Sequence, residues 1–288
     1  MPLDAARALA AAPRTRELAW TAKDVQLYHL ALGAGAPATD PRELRYTLET
    51  RLHVLPGFAT VAGGGEPGVI AALSVPGVDV DLAHVLHAGQ HLTVHRPLPV
   101  AGRAVATSRI TAAYDKGRAA LLVLRTDVAD AEGPLWTDEA RVHVRGEGGW
   151  GGERGPSARP APPSGTPDLT VDRPVREDQA LLYRLTGDLN PLHADPEFAA
   201  RAGFERPVLH GLCTYGMTLK AVVDTLLDGD VTRVHAYTTR FAGVAYPGET
   251  LRVRMWRAPG AEGSVRVTVS AVDRAEAPVL ADTTVTHS

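Results

Sequence analysis

Apolar and polar positions alternate through Leu251, Val253 and Met255, with Arg252 and Arg254 between them, and again through Val265, Val267 and Val269. A period of two marks strands with one buried face, the usual state of an antiparallel sheet. Residues 105–110, 121–128 and 141–144 follow the same rule earlier in the chain. Two segments carry helical signals instead. Thr21 and Asp24 form a capping-box-like start, followed by Val25, Leu27, Tyr28 and Leu32 and a stop at Gly33. Arg176 to Gln179 opens a similar stretch, with Leu181, Leu182, Tyr183 and Leu185 and a stop at Gly187. Sliding the first onto the second places Asp24 on Asp178, Leu27 on Leu181 and Gly33 on Gly187, so the chain reads as two similar halves. The stretch 211–223 (GLCTYGMTLKAVV) has Lys220 as its one charge and apolar residues on every helical face. Such a helix has to be enclosed. The expected fold is α+β, two tandem units each with a long central helix wrapped by an antiparallel sheet. A doubly wound parallel sheet would need strict alternation of strands and helices, which the pattern lacks.

Glycine and proline occupy twelve of the twenty-two positions in 146–167, which rules out a helix or a central strand there. The predicted organisation is therefore an N-terminal half over 1–145, a linker over 146–170 and a C-terminal half over 171–288. The net charge of −3, without any block of like charge, argues against nucleic acid and anionic membranes as partners. No run is long and apolar enough for a membrane span, and the first twenty residues lack the apolar core of a signal peptide. Cys213 is the single cysteine, so no intrachain disulfide forms and a reducing cytoplasm is the expected compartment.

Chemistry concentrates in YRLTGDLNPLH over 183–193. Asp188, Asn190 and His193 lie in a short loop after the Gly187 stop, and Pro191 restricts its own backbone and that of Asn190. Asp and Asn after a helix often serve only as turn residues. A rigid spacing between a carboxylate and an imidazole points instead to an acid/base pair holding one water. Thirteen residues after His193 the chain reads RPVLHG over 206–211 and enters the enclosed helix. Gly211 at that helix start lets a ligand approach unpaired backbone N–H groups at the positive end of the dipole. Its plainer use would be close packing against the sheet.

TGDLNPLH over 186–193, followed by PVLHG over 207–211, resembles the signature of the MaoC-like (R)-specific enoyl-CoA hydratases, the hydratase 2 group. Stretches in the first half resemble the non-catalytic half of two-domain members, so the resemblance spans nearly the whole chain. It implies a double hotdog fold and reversible syn hydration of a trans-2-enoyl thioester to the (R)-3-hydroxyacyl thioester in fatty acid metabolism. The implied roles are catalysis by Asp188 and His193, orientation of that pair by Asn190, and polarisation of the thioester carbonyl by the Gly211 N–H. His210 and Tyr183, which belong to the two motifs, are taken as substrate-binding candidates. The first half has Ala34, Ala36 and Thr39 where the second has Asp188, Asn190 and His193, which leaves one active site per chain and a first half free to accommodate the acyl chain. The substrate is then an acyl-CoA or acyl-carrier-protein thioester, with no cofactor and no metal, and the hotdog resemblance implies a homodimer. Hotdog thioesterase activity and a non-catalytic thioester-binding subunit are the competing functions.

Other polar groups read more plainly. Cys213 is expected to be a buried spectator. His84, His87, His91 and His95 look like a metal cluster, but Gly89 interrupts any helix and 91–95 reads as strand, so no metal site is expected there. Asp188, His193 and His210 match no recognised ligand spacing. Arg173, Arg176, Arg184 and Lys220 are candidates for the coenzyme A phosphates.

Overall fold

In the computed structural model, which describes residues 3–64, 73–81, 84–157, 159–257 and 263–288, the alternating segments pair into one ten-stranded antiparallel sheet. The first half supplies β1 (Arg14–Trp20), β2 (Val85–Val94), β3 (Gly102–Asp115), β4 (Ala119–Asp130) and β5 (Gly133–Arg145). The second half supplies β6 (Leu169–Pro174), β7 (Val234–Phe241), β8 (Thr250–Arg257), β9 (Ser264–Ala271) and β10 (Ala277–His287). Their order across the sheet is β1-β3-β4-β5-β2-β7-β10-β9-β8-β6. Each half thus repeats one strand order in mirror sequence, and the halves join where β2 pairs with β7, Gln90 opposite Thr239 and Leu92 opposite Tyr237. The period-two reading holds in detail: Leu251, Val253 and Met255 of β8 and Val265, Val267 and Val269 of β9 are all buried.

The helices lie on the face that this sheet curls around. Along the chain they are α1 (Ala5–Ala10), α2 (Ala22–Ala31), α3 (Pro41–Leu44), α4 (Gln179–Tyr183), α5 (Pro196–Arg201) and α6 (Gly211–Leu226). The Asp24 carboxylate accepts from the Thr21 N–H at 2.7 Å, which starts α2 as its sequence signal required. Helix α6 is the enclosed one, buried at every position from Cys213 to Val223. Tyr215 stacks on Tyr237 of β7 at 3.9 Å between ring centres, and each hydroxyl donates to the other residue's carbonyl. The double hotdog is therefore present, and among the described residues the expected long central helix is found in the second half. Among the described residues of the first half the longest helix is α2, and a tight turn over Pro56–Thr60 faces α6. Turn and helix meet closely: a Cβ on Gly57 or on Gly216 would lie 2.5 Å from the Tyr28 hydroxyl oxygen that sits between them.

Lys220, the one charge in 211–223, is buried and clamps the halves together. Its Nζ donates to Glu43 Oε1 at 2.8 Å and to Asp224 Oδ2 at 2.7 Å, and Tyr46 donates to Asp224 Oδ1 at 2.7 Å. The expectation that Lys220 meets a coenzyme A phosphate is therefore corrected, since both carboxylates already hold the ammonium inside. Arg176 is likewise paired, with Asp178 at 2.7 Å, and Arg173 lies 3.6 Å from Asp224.

His29 on α2 is fully buried, with Nδ1 donating to the Tyr46 carbonyl at 2.8 Å and Nε2 accepting from the Leu55 N–H at 3.2 Å. Burial pulls its pKa down to about 3. An unfolded histidine takes up its proton near pH ~6.5, so between these values the unfolded state binds more protons. This contribution to stability is complete above that pH and is lost as pH falls toward 3, at up to about 1.4 kcal/mol per pH unit. The denaturation midpoint in urea is expected to drop between pH 7 and 5. His29→Gln should make that slope shallower, and an unchanged slope would assign the effect to other groups.

Candidate active site

The two polar motifs meet at the mouth of a cavity of about 520 Å³ that runs between the halves. A 3-10 turn over Arg184–Thr186 ends at Gly187, whose φ of 131° suits glycine, and the chain reverses into the Asp188 loop. Arg184 Nη2 holds the loop by donating to the Leu189 carbonyl at 3.0 Å. Asn190 fixes it from within: its N–H donates to Asp188 Oδ1 at 3.1 Å, and its own Oδ1 accepts from the Leu192 N–H at 3.0 Å. Pro191 then starts a second 3-10 turn that delivers His193.

The second motif completes the site. Val208 N–H donates to the Leu192 carbonyl at 3.3 Å, and His193 Nδ1 donates to the Val208 carbonyl at 2.8 Å. A carbonyl partner on Nδ1 makes that nitrogen the protonated one in the neutral ring and leaves the Nε2 lone pair as the proton acceptor. Burial lowers the His193 pKa from its ordinary value, with the Arg184 charge adding to the effect and the Val208 carbonyl and Asp188 opposing it. His193 is thus neutral at pH 7. A titratable atom from each of Asp188, His193 and His210 lies within 4.8 Å of the others.

His210 sits behind the pair, away from the cavity wall where a substrate-binding residue would stand. It is 1% exposed, stacks on His193 at 3.7 Å between ring centres and donates from Nε2 to the Asp188 carbonyl at 3.1 Å. Burial and the neighbouring His193 pull its pKa down to about 3. The two imidazoles are inclined by only 28°, so their in-plane lone pairs run side by side and do not converge on one ion. Tyr183 lines the cavity and supports His210, ring centres 4.9 Å apart. Gly211 also lines it, as the first residue of α6, and no side chain caps that helix start. Its amide hydrogen is one of those that an α-helix leaves unpaired. A Cβ there would come within 3.1 Å of the Phe241 ring.

Gly211→Pro is expected to lower kcat by about 10²-fold while the fold persists, because proline suits a first helical position and takes the N–H away. Gly211→Ala keeps the N–H and so separates the effect of the Phe241 contact. Equal losses in the two variants would deny that hydrogen a role.

Elsewhere, Cys213 is buried against the Ala31 carbonyl at 3.5 Å, and burial pushes its thiol pKa up, which suits a spectator. The histidines over 87–95 are divided: His91 meets Thr93 at 3.2 Å, His95 meets Thr137 at 3.0 Å, and His87 faces the cavity. Sequence reading gave the first half the acyl chain to accommodate but named none of its cavity-lining residues, among them His87, Gln90, Trp136 and Asp138. Period-two patterning was the available signal for β2, but it does not show which face opens onto a cavity.

A double hotdog that keeps one carboxylate-imidazole site at the start of the enclosed helix α6 defines a two-domain hydratase architecture. Comparison with known proteins agrees. Residues 18–146 match the MFE-2 hydratase 2 N-terminal domain, and residues 159–277 match the MaoC like domain. The chain is 52% identical over 258 residues to enoyl-CoA hydratase ChsH3 of Mycobacterium tuberculosis, a match covering 89% of this chain and 90% of that protein. It is 40% identical over 273 residues to 3-hydroxyacyl-thioester dehydratase Y of the same organism, covering 91% of each. The crystal structure of a MaoC-like dehydratase from Phytophthora capsici superposes with a TM-score of 0.88 at 26% identity, over 99% of this chain and 98% of that one. The chain belongs to the MaoC-like hydratase 2 family.

Proposed function

We propose that this protein is a hydro-lyase that adds water reversibly to trans-2-enoyl-CoA and gives the (R)-3-hydroxyacyl-CoA of fatty acid metabolism. The observation that carries the reading is the approach of Asp188 and neutral His193 to within 4.8 Å of each other in a cavity that Gly211 also lines. Water held between carboxylate and imidazole gives its oxygen to C3. The proton it releases is relayed by one of the two groups to C2. Since hydroxyl and proton leave one water on one wall, both reach the same face of the double bond, which is syn addition. Charge that builds on the thioester oxygen during attack is met by the Gly211 N–H at the positive end of α6. The reaction needs no cofactor or metal, because a base, an acid and an oxyanion site already supply its three requirements.

Asn190 acts on the pair through the loop, its N–H holding the Asp188 carboxylate and its Oδ1 holding the Leu192 N–H just before His193. The first half contributes cavity wall and makes room for the acyl group. The same reading extends to a carrier-protein thioester as an alternative substrate and to a cytoplasmic homodimer. Exposed Leu181, Leu185 and Leu189 beside the site support self-association, which sedimentation would check. Among the described residues no helix is long and apolar enough to cross a membrane.

Crotonyl-CoA tests the reaction. Loss of enoyl absorbance without release of free thiol is expected, with chiral analysis giving the (R)-alcohol. Thiol release at a matching rate would make the protein a thioesterase, attacked at C1 instead of C3.

A further inference from the structure

On three neighbouring strands of the first half, one polar residue interrupts the apolar series that faces inward. In β3 it is Ser108, between Ala106 and Ile110; in β4 it is Thr126, between Leu124 and Val128; in β5 it is Asp138, between Trp136 and Ala140. The register sets these three in a single row across the sheet, Asp138 opposite Thr126 and Thr126 opposite Ser108. Side chains directly opposite share a face of the sheet, with Cβ atoms about 5 Å apart. The apolar neighbours fall into a row on either side. In the second half, Leu251, Val253 and Met255 of β8 and Val265, Val267 and Val269 of β9 have no such interruption.

Ser108, Thr126 and Asp138 are half-buried, and all three line the cavity. Asp138 Oδ1 accepts from Gln90 Nε2, and its Oδ2 accepts from no described residue. The Ser108 and Thr126 hydroxyls lie 2.8 Å apart. With Ser108 as the donor of that bond, the Thr126 hydroxyl hydrogen is left for a group in the cavity. Burial pushes the Asp138 pKa up to about 7, the mark of a carboxyl that its surroundings solvate poorly. An alkyl chain laid over the row would cover a carboxyl and a hydroxyl and answer neither, which is costly.

We propose that Asp138 and Thr126 are specificity-determining residues that select an acyl group carrying a hydroxyl beyond the carbons that react. This rests on the hydratase reading above. An oxygen seated between the two side chains donates its hydrogen to Asp138 Oδ2 and accepts the hydrogen of Thr126 Oγ1, while the apolar rows on both sides take the carbon skeleton around it. A methylene at that place makes neither bond. The oxygen at C3 belongs to the Asp188 and His193 wall of the second half, which is why the recognised hydroxyl is a second one.

The test compares acyl-CoA pairs of equal length that differ by one hydroxyl, placed in turn at successive carbons beyond C4. Calorimetry reads affinity with the saturated thioesters, and hydration rates are measured in parallel with the corresponding trans-2-enoyl thioesters. At least one hydroxylated member is expected to bind about ten-fold or more tightly than its deoxy parent. Asp138→Leu, of similar size and apolar, should abolish that preference and tighten binding of the plain chains by about ten-fold, the gain growing with chain length. Thr126→Val keeps the shape of the side chain and should cut the preference about three-fold, which holds the proposal to account even if Asp138→Leu does not fold. Hydration without a hydroxyl preference at any position overturns the subsite and keeps the reaction. A hydroxyl preference in binding without hydration keeps the subsite and overturns the reaction. A preference that survives unchanged in a folded variant overturns the role given to that residue.

Discussion

Asp188→Asn is expected to lower kcat for hydration of a short trans-2-enoyl-CoA by about 10³-fold, within the range for loss of a general acid or base. The substitution is nearly isosteric and retains an oxygen to accept the Asn190 N–H, so the loop and the melting temperature should be preserved. What it removes is the charge that helps grip the water. His193→Gln is expected to fall as far, because Nε2 disappears along with the Nδ1 bond to the Val208 carbonyl. If the two groups work on a single water as a unit, the double variant should be hardly slower than either single one. Near wild-type turnover in either folded single variant would falsify the site.

The largest effect on stability is expected far from the chemistry, at Lys220→Ala. Removing Nζ leaves Glu43 and Asp224, whose side chains are 15% and 19% exposed, facing each other without the cation between them. Breaking a buried pair in this way costs about 3 kcal/mol, because the remaining carboxylates stay desolvated. Arg173, 3.6 Å from Asp224, compensates only one of them. Adding Glu43→Gln to the variant should recover part of the loss, since it removes one stranded charge. Urea denaturation at pH 7 measures both. A loss below about 1 kcal/mol would class the cluster with ordinary exposed ion pairs.

Much of the fold was legible because its signals are local. Alternation in β8 and β9 follows from one buried face, and the capping residues of α2 follow from unpaired amide hydrogens at a helix start. The all-round apolar character of 211–223 foretold an enclosed helix, and α6 is enclosed. A second long helix was read from the repeat alone, and in the first half residues 65–72 lie outside those the structure describes. The site was partly legible for a similar reason. Asp188, Asn190 and His193 are neighbours in sequence, and a proline and a glycine set their loop.

What the linear order of residues determined is therefore the duplicated antiparallel design, the loss of polar chemistry from one copy, and the loop that presents a carboxylate and an imidazole. Tertiary structure alone decided which nitrogen of His193 is free, because the Val208 carbonyl that takes its other proton comes from fifteen residues away. It also decided that Lys220 is a clamp, that His210 is a prop behind the pair, and that Ser108, Thr126 and Asp138 fall in one row. Each of these depends on partners from distant segments or on the register between strands, and neither leaves a periodic trace in the chain.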